Sequence, residues 1–204
     1  MLTFCAVHLK RTLLLAAGIA VTMSVLSSPA MAHITNASRG GFAHGFAHPL
    51  SGLDHILAMV AVGMWAAQLG RPAYVILPLT FPVVMAAGAV LGIAGLPLPW
   101  VESGIAVSVL ILGAMVALAL KPSLAVSVAL VGLFALMHGH SHGTELPQVA
   151  SAVAYAAGFL IATMTLHAVG LAIGGTSRWP FARVGLRTAG AAIAAIGVLL
   201  LVSV

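Results

Sequence analysis

Six apolar runs, each close to the length a helix needs to cross a bilayer, dictate what this chain can become. They cover approximately residues 49–69, 73–95, 101–120, 123–137, 149–174 and 186–204, the fourth being the shortest. A helix rises 1.5 Å per residue, so ~20 residues span the ~30 Å of hydrocarbon. The runs are continuous rather than alternating, and in lipid every backbone polar group must be paired within its own segment. Helices rather than strands are therefore expected. Pro78, Pro82, Gly88, Gly92 and Gly95 predict a kinked second span, and the Gly and Ala elsewhere suit close helix packing.

Composition removes the competing classes. Of 204 residues 62% are hydrophobic and 5% charged, a surface no water-soluble domain could expose. The eight Lys and Arg, set against Asp54, Glu102 and Glu145, are scattered singly and form no stripe that could track phosphates. Nucleic acid is excluded as a partner; the lipid bilayer is the partner that composition demands. Cys5 is the sole cysteine, so neither a disulfide framework nor a thiolate metal site is available. Nine histidines outnumber the eight Lys and Arg. Imidazole is the commonest metal ligand, and a metal here would be held by nitrogen and oxygen.

Residues 1–32 read as a secretory signal: a basic start ending at Lys10 and Arg11, an apolar core at 12–26, and a small-x-small end at Ala30, Met31 and Ala32. Export of the new N-terminus at His33 places Arg71, Lys121, Arg178, Arg183 and Arg187 on the opposite side, where positive residues collect in the cytoplasm. Glu102 and Glu145 fall on the exported side with Arg39. The expected fold is an all-α membrane protein: a cleavable signal peptide at 1–32, then a single six-helix transmembrane domain at 33–204 with both mature termini periplasmic. The expected location is the bacterial inner (cytoplasmic) membrane. The polar groups do not match between the first three and last three spans, so no inverted repeat is read.

The polar residues in the spans gather at the exported end. Taken as one helix, the first cluster puts His44, His48 and His55 at roughly 0°, 40° and 20°, with Asp54 about 100° from His55. His44 and His48 have the i, i+4 spacing by which two imidazoles share an ion. His48 and His55, however, stand about 10 Å apart in helix rise, too far for one ion unless the helix is broken or starts late. Pro49 and Gly52 permit that: proline suits the first helical position, with His48 as N-cap. Successive stations in a relay are the other possibility.

The second cluster closes the fourth span with His138, His140, His142 and Glu145. His138 and His142 are again i, i+4; alternatively, a helix ending at Gly139 would set all three histidines on one side of an extended strand. Glu102 opens the third span. His167 stands alone, deeper in the fifth. The candidate metal ligands are His48, Asp54, His55, Glu102, His138, His142 and Glu145, with His44, His140, His167 and Phe81 secondary. Methionines 59, 64, 85, 115 and 164 are spread over four spans, as gap-fillers are.

Two stretches carry a resemblance. His48-Pro-Leu-Ser-Gly-Leu-Asp54-His55 is similar to the HX5DH signature of the HupE/UreJ family of nickel permeases, and residues 137–145 resemble its second signature, FHGX[AV]HGXE. The resemblance extends to the cleaved signal, six helices, Phe81, Glu102 and His167. Met137 replaces Phe and Ser141 replaces Ala or Val; neither change removes a ligand. The resemblance implies nickel uptake for hydrogenase or urease assembly; cytoplasmic metallochaperones are the partners that could trap the ion after entry. Composition and spacing alone imply a divalent cation.

The expectation is thus a secondary permease, not an enzyme, carrying Ni²⁺ as substrate and holding no permanent cofactor. Cobalt or zinc would fit the same ligands. The sequence has no Walker loop and no phosphorylatable aspartate motif. Two other classes compete: an intramembrane zinc hydrolase, for which the sequence offers no obvious lipid or peptide pocket, and an accessory membrane protein that hands on metal without transporting it.

Overall fold

The structure, a computed structural model, describes residues 41–145 and 151–204; the expected signal at 1–32 lies outside them. The described elements are helical: α1 Gly41–Ser51, α2 Leu53–Leu69, α3 Ala73–Ile93, α4 Val101–Leu118, α5 Leu124–Thr144, α6 Ala152–Gly175 and α7 Pro180–Ser203, with a 3-10 turn at Thr176–Arg178. Five of them, α3 to α7, are long and apolar enough to cross a membrane, and α1 with α2 would make a sixth as a single broken span. This is a multi-pass helical membrane protein.

Three expectations need correction. The first span does not begin at Pro49 with His48 as its N-cap: α1 starts at Gly41, and His48 and Pro49 lie inside it. The break falls at Gly52, which is extended (φ −99°, ψ 121°), and α1 and α2 meet there at 81°. Nor do the histidines at 138–142 form an extended strand, because α5 runs unbroken to Thr144. The last helix begins at Pro180, a residue whose missing N–H suits a first turn, rather than at 186. The prolines of the second span leave α3 continuous from Ala73 to Ile93.

Helix α5 survives its glycines because they are packing positions. A methyl group on Gly139 would overlap the Met85 carbonyl, and one on Gly143 the Ala89 carbonyl; Gly88 and Gly92 of α3 face the carbonyls of Leu136 and His140 in return. Glycine costs a helix roughly 1 kcal/mol against alanine. Backbone-to-backbone contact offsets that cost where no hydrophobic force drives helices together. The same device joins α2 to α6 at Gly63 and Gly170, α1 to α6 at Gly45 and Gly158, and α4 to α7 at Gly113 and Gly190.

At the end bearing Arg71 and Lys121, the indole N–H of Trp65 donates to the Leu120 carbonyl (2.9 Å), and Gln68 Nε2 donates to the Val116 carbonyl (3.0 Å). The Val116 carbonyl also accepts from the Ala119 amide, and Leu120 lies just past α4, so the two bonds tie α2 to the C-terminal end of α4. Ser123 and Ser151 cap the starts of α5 and α6 through the amides of Val126 and Ala154. Helices α3 and α6 touch little, and between them lies an apolar cleft of about 700 Å³, lined by Pro82, Met85, Ala86, Tyr155 and Phe159 among others and reaching His142.

Candidate metal centre

The bend at Gly52 has a chemical result. It brings His48 of α1 against His142 of α5, with Nε2 and Nδ1 3.0 Å apart. One residue pair into α2, Asp54 and His55 meet the same cluster: the His55 ring lies 4.4 Å from that of His142 and 4.8 Å from that of His138. Two helices and the bent α1 thus place four imidazoles and one carboxylate together. His138 is fully buried and His142 8% exposed, while the Asp54 side chain keeps 27% of its surface open.

The hydrogen bonds fix which nitrogens carry protons. A carboxylate only accepts, so neutral His55 donates from Nδ1 to Asp54 Oδ1 at 2.8 Å and leaves Nε2 with its lone pair. Ser108 Oγ donates to the Ile105 carbonyl at 2.6 Å, so its oxygen accepts from His138 Nε2–H at 2.9 Å, leaving His138 Nδ1 bare. When His142 donates from Nδ1 to His48, its Nε2 is bare as well. His55 Nε2, His138 Nδ1 and His142 Nε2 are buried without a hydrogen-bond partner.

Unprotonated imidazole nitrogens facing no donor are ligands for a borderline divalent cation. They do not yet converge: among the described residues no three His, Cys, Asp or Glu side chains stand arranged to hold an ion. Ring rotation within the stack is needed to close them on one. Alternatively, His142 carries its proton on Nε2 and an ion sits between His48 Nε2 and His142 Nδ1, whose 3.0 Å separation is that of two nitrogens on adjacent corners of an octahedron at ~2.1 Å.

Other expected residues fall outside this knot. Glu102 is exposed at the start of α4, its Oε1 accepting from Ser141 Oγ at 3.4 Å. Glu145 is exposed just past α5. Both are rim groups here. His140 turns away and donates to the Leu96 carbonyl at 2.8 Å, tying α5 to the α3–α4 connection. His44 is exposed, its ring 6.2 Å from Tyr155. Phe81 lies against His138 (5.6 Å) and also against His167 (5.3 Å).

Sequence reasoning missed Ser108, an unremarkable serine in an apolar helix; its i+6 position from Glu102 gave no signal. It also missed Phe159, whose ring sits 4.6 Å from that of His142 and walls the cluster from the cleft side.

A multi-pass helical bundle with a buried histidine and carboxylate knot near one end is the architecture of a membrane metal-handling protein. Residues 20–200 match the family described as HupE / UreJ protein, and the chain belongs to that family. It is similar to Protein HupE of Rhizobium leguminosarum bv. viciae, with 46% identity over 185 residues, covering 90% of this chain and 97% of that one. No solved structure matches the chain.

Proposed function

We propose that this protein is a secondary permease that carries Ni²⁺, and Co²⁺ by the same route, from periplasm to cytoplasm for hydrogenase or urease maturation. The observation that supports the reading best is the set of three buried, unpartnered imidazole nitrogens on His55, His138 and His142. Six spans with both mature termini periplasmic would put this knot at the outer end of the bundle. Arg71, Lys121, Arg178, Arg183 and Arg187 would then face the cytoplasm.

In this mechanism Glu102 and Glu145 draw cations to the rim. His48, His55, His138 and His142 replace the ion's water, and the preference for nitrogen selects against magnesium and calcium. Asp54 offsets charge and holds the His55 tautomer through its Oδ1. A divalent ion moving toward an inside-negative compartment gains about 4.6 kcal/mol per 100 mV. Cytoplasmic metallochaperones would trap it there.

The test is nickel uptake by proteoliposomes with an imposed inside-negative potential, comparing the natural chain with Asp54→Ala and His138→Ala. Uptake by the natural chain and its loss in both variants is expected; no uptake by the natural chain sinks the permease. The apolar cleft reaching His142 favours one competing reading, an intramembrane zinc hydrolase with an acyl or peptide substrate in the cleft. Potential-driven uptake without zinc would reject it.

A further inference from the structure

One polar group in the bundle has no place in the histidine knot. His167 is fully buried in α6, and neither ring nitrogen has a hydrogen-bond partner. One turn earlier on the same face, Thr163 is fully buried with an equally unpartnered hydroxyl. This is unusual for the helical threonines of this chain: Thr80, Thr165 and Thr188 each bond the carbonyl four residues back, at 2.8, 2.7 and 3.0 Å. Thr163 forgoes that bond and keeps its oxygen free.

A second oxygen, the third group of the set, is supplied by the prolines of α3. The Pro78 carbonyl would normally accept from the amide of residue 82, but Pro82 has no N–H. That carbonyl lies beside the His167 ring, close enough for one ring nitrogen to turn its N–H toward it. Burying unpaired polar groups costs roughly 1–3 kcal/mol each. The Thr163 hydroxyl and the free nitrogen of His167, next to a carbonyl that proline deprives of its helical donor, form a ligand set rather than a packing accident.

We infer that His167, Thr163 and the Pro78 carbonyl form a second, deeper cation station, which takes a divalent transition-metal ion from the histidine knot. The inference rests on the permease reading for its physiological sense. Phe81 is the side chain that touches both His138 and His167, and so stands between the two stations. The depth follows from α2: the His167 carbonyl packs on Gly63, about 13 Å of helix beyond Asp54. The ligand types are graded too. The knot contains a carboxylate; the deep station has a single imidazole and neutral oxygens, and so binds more weakly. A path needs that order, because each site must be favourable enough to enter and weak enough to leave.

The test is equilibrium dialysis of the purified full chain in detergent against nickel chloride, together with vesicle uptake. Two ions per natural chain are expected, the second weaker. His167→Ala should bind one. Thr163→Val, nearly the same shape, and Pro82→Ala, which returns an amide donor to the Pro78 carbonyl, should weaken the second ion by about tenfold or more and leave the first unchanged. These two variants guard against a His167→Ala chain that fails to fold. One ion on the natural chain, or an undiminished second ion in Thr163→Val and Pro82→Ala, overturns the station. A natural chain that binds two ions but carries none across a vesicle keeps the station and rejects the permease. One that transports while His167→Ala binds and transports identically does the reverse.

Discussion

His48 and His142 stand 94 residues apart in sequence and 3.0 Å apart in space, nitrogen to nitrogen. One of the two must donate a proton to the other, and a metal ion between them would take that proton's place. Removing either imidazole deletes a ligand and strands its partner. His48→Ala and His142→Ala are each expected to lower nickel affinity by about 10- to 100-fold, the range seen when groups supporting a metal are removed. The double variant should lose far less than the product of the two. Calorimetric titration of the solubilised chain measures all three; full additivity would show that the rings act on separate ions.

Gly52 is expected to be specific to function rather than stability. A β-carbon there would come within 2.7 Å of Asp54 Oδ1 and 2.8 Å of His55 Nδ1, and touch little else. Gly52→Ala should therefore displace the Asp54–His55 pair and cut uptake, while the melting temperature in detergent moves by a few degrees at most. A large loss of stability with normal uptake per folded molecule would contradict this.

Ser108 holds the His138 tautomer. Without its hydroxyl nothing distinguishes the two ring nitrogens, so Ser108→Ala is expected to reduce nickel affinity by about tenfold, and Ser108→Thr to restore most of it. Asp54→Asn should behave as Ser108→Ala does if the carboxylate only orients His55, and lose more if it also binds the ion. Titrating the variants side by side separates the two.

Proton competition sets the acid limit of uptake. An imidazole binds metal only through an unprotonated nitrogen, and free imidazole takes its second proton near pH 6.5. Protons bind the empty site in preference to the loaded one, so affinity falls as pH falls. Uptake is expected to fall when the medium is made strongly acid, and uptake that rises on acidification would count against imidazole coordination.

Packing of α3 on α5 is expected to be intolerant. Gly139→Leu forces a side chain into the Met85 backbone. Overfilled contacts usually cost about 1–3 kcal/mol. The variant should melt earlier in detergent and lose nickel binding, since His138 and His142 ride on the same helix.

Much of this architecture was readable beforehand because lipid imposes simple rules. Run length gave the spans at 73–95 and 101–120 to within a few residues. Glycine was where local reasoning failed. Gly139 resembled a helix stop, but its meaning, like that of Gly143, is tertiary: the close approach of α3 offsets their poor helix propensity, and no property of residues 138–145 alone contains that. The site was partly legible for a similar reason. His48, His55, His138 and His142 could be named from spacing, whereas the axial gap between His48 and His55 left a broken helix, a late helix start and a relay all open. The break came at Gly52, since residue 52 needs the space a side chain would fill. Glu102 and Glu145 share the histidines' end of the bundle, but their distance from the ring knot depends on side-chain direction, which linear spacing does not encode.

The glycine contacts described above bind α3 to α5, and α6 to both α1 and α2. The imidazoles are divided along that line: His138 and His142 travel with the first group, His48 and His55 with the second. An ion held by both would be measured like an object in a caliper, its radius set against the spacing of two packed slabs. Preference among nickel, cobalt and zinc would then be adjustable from the apolar cleft between α3 and α6, by residues that never touch metal.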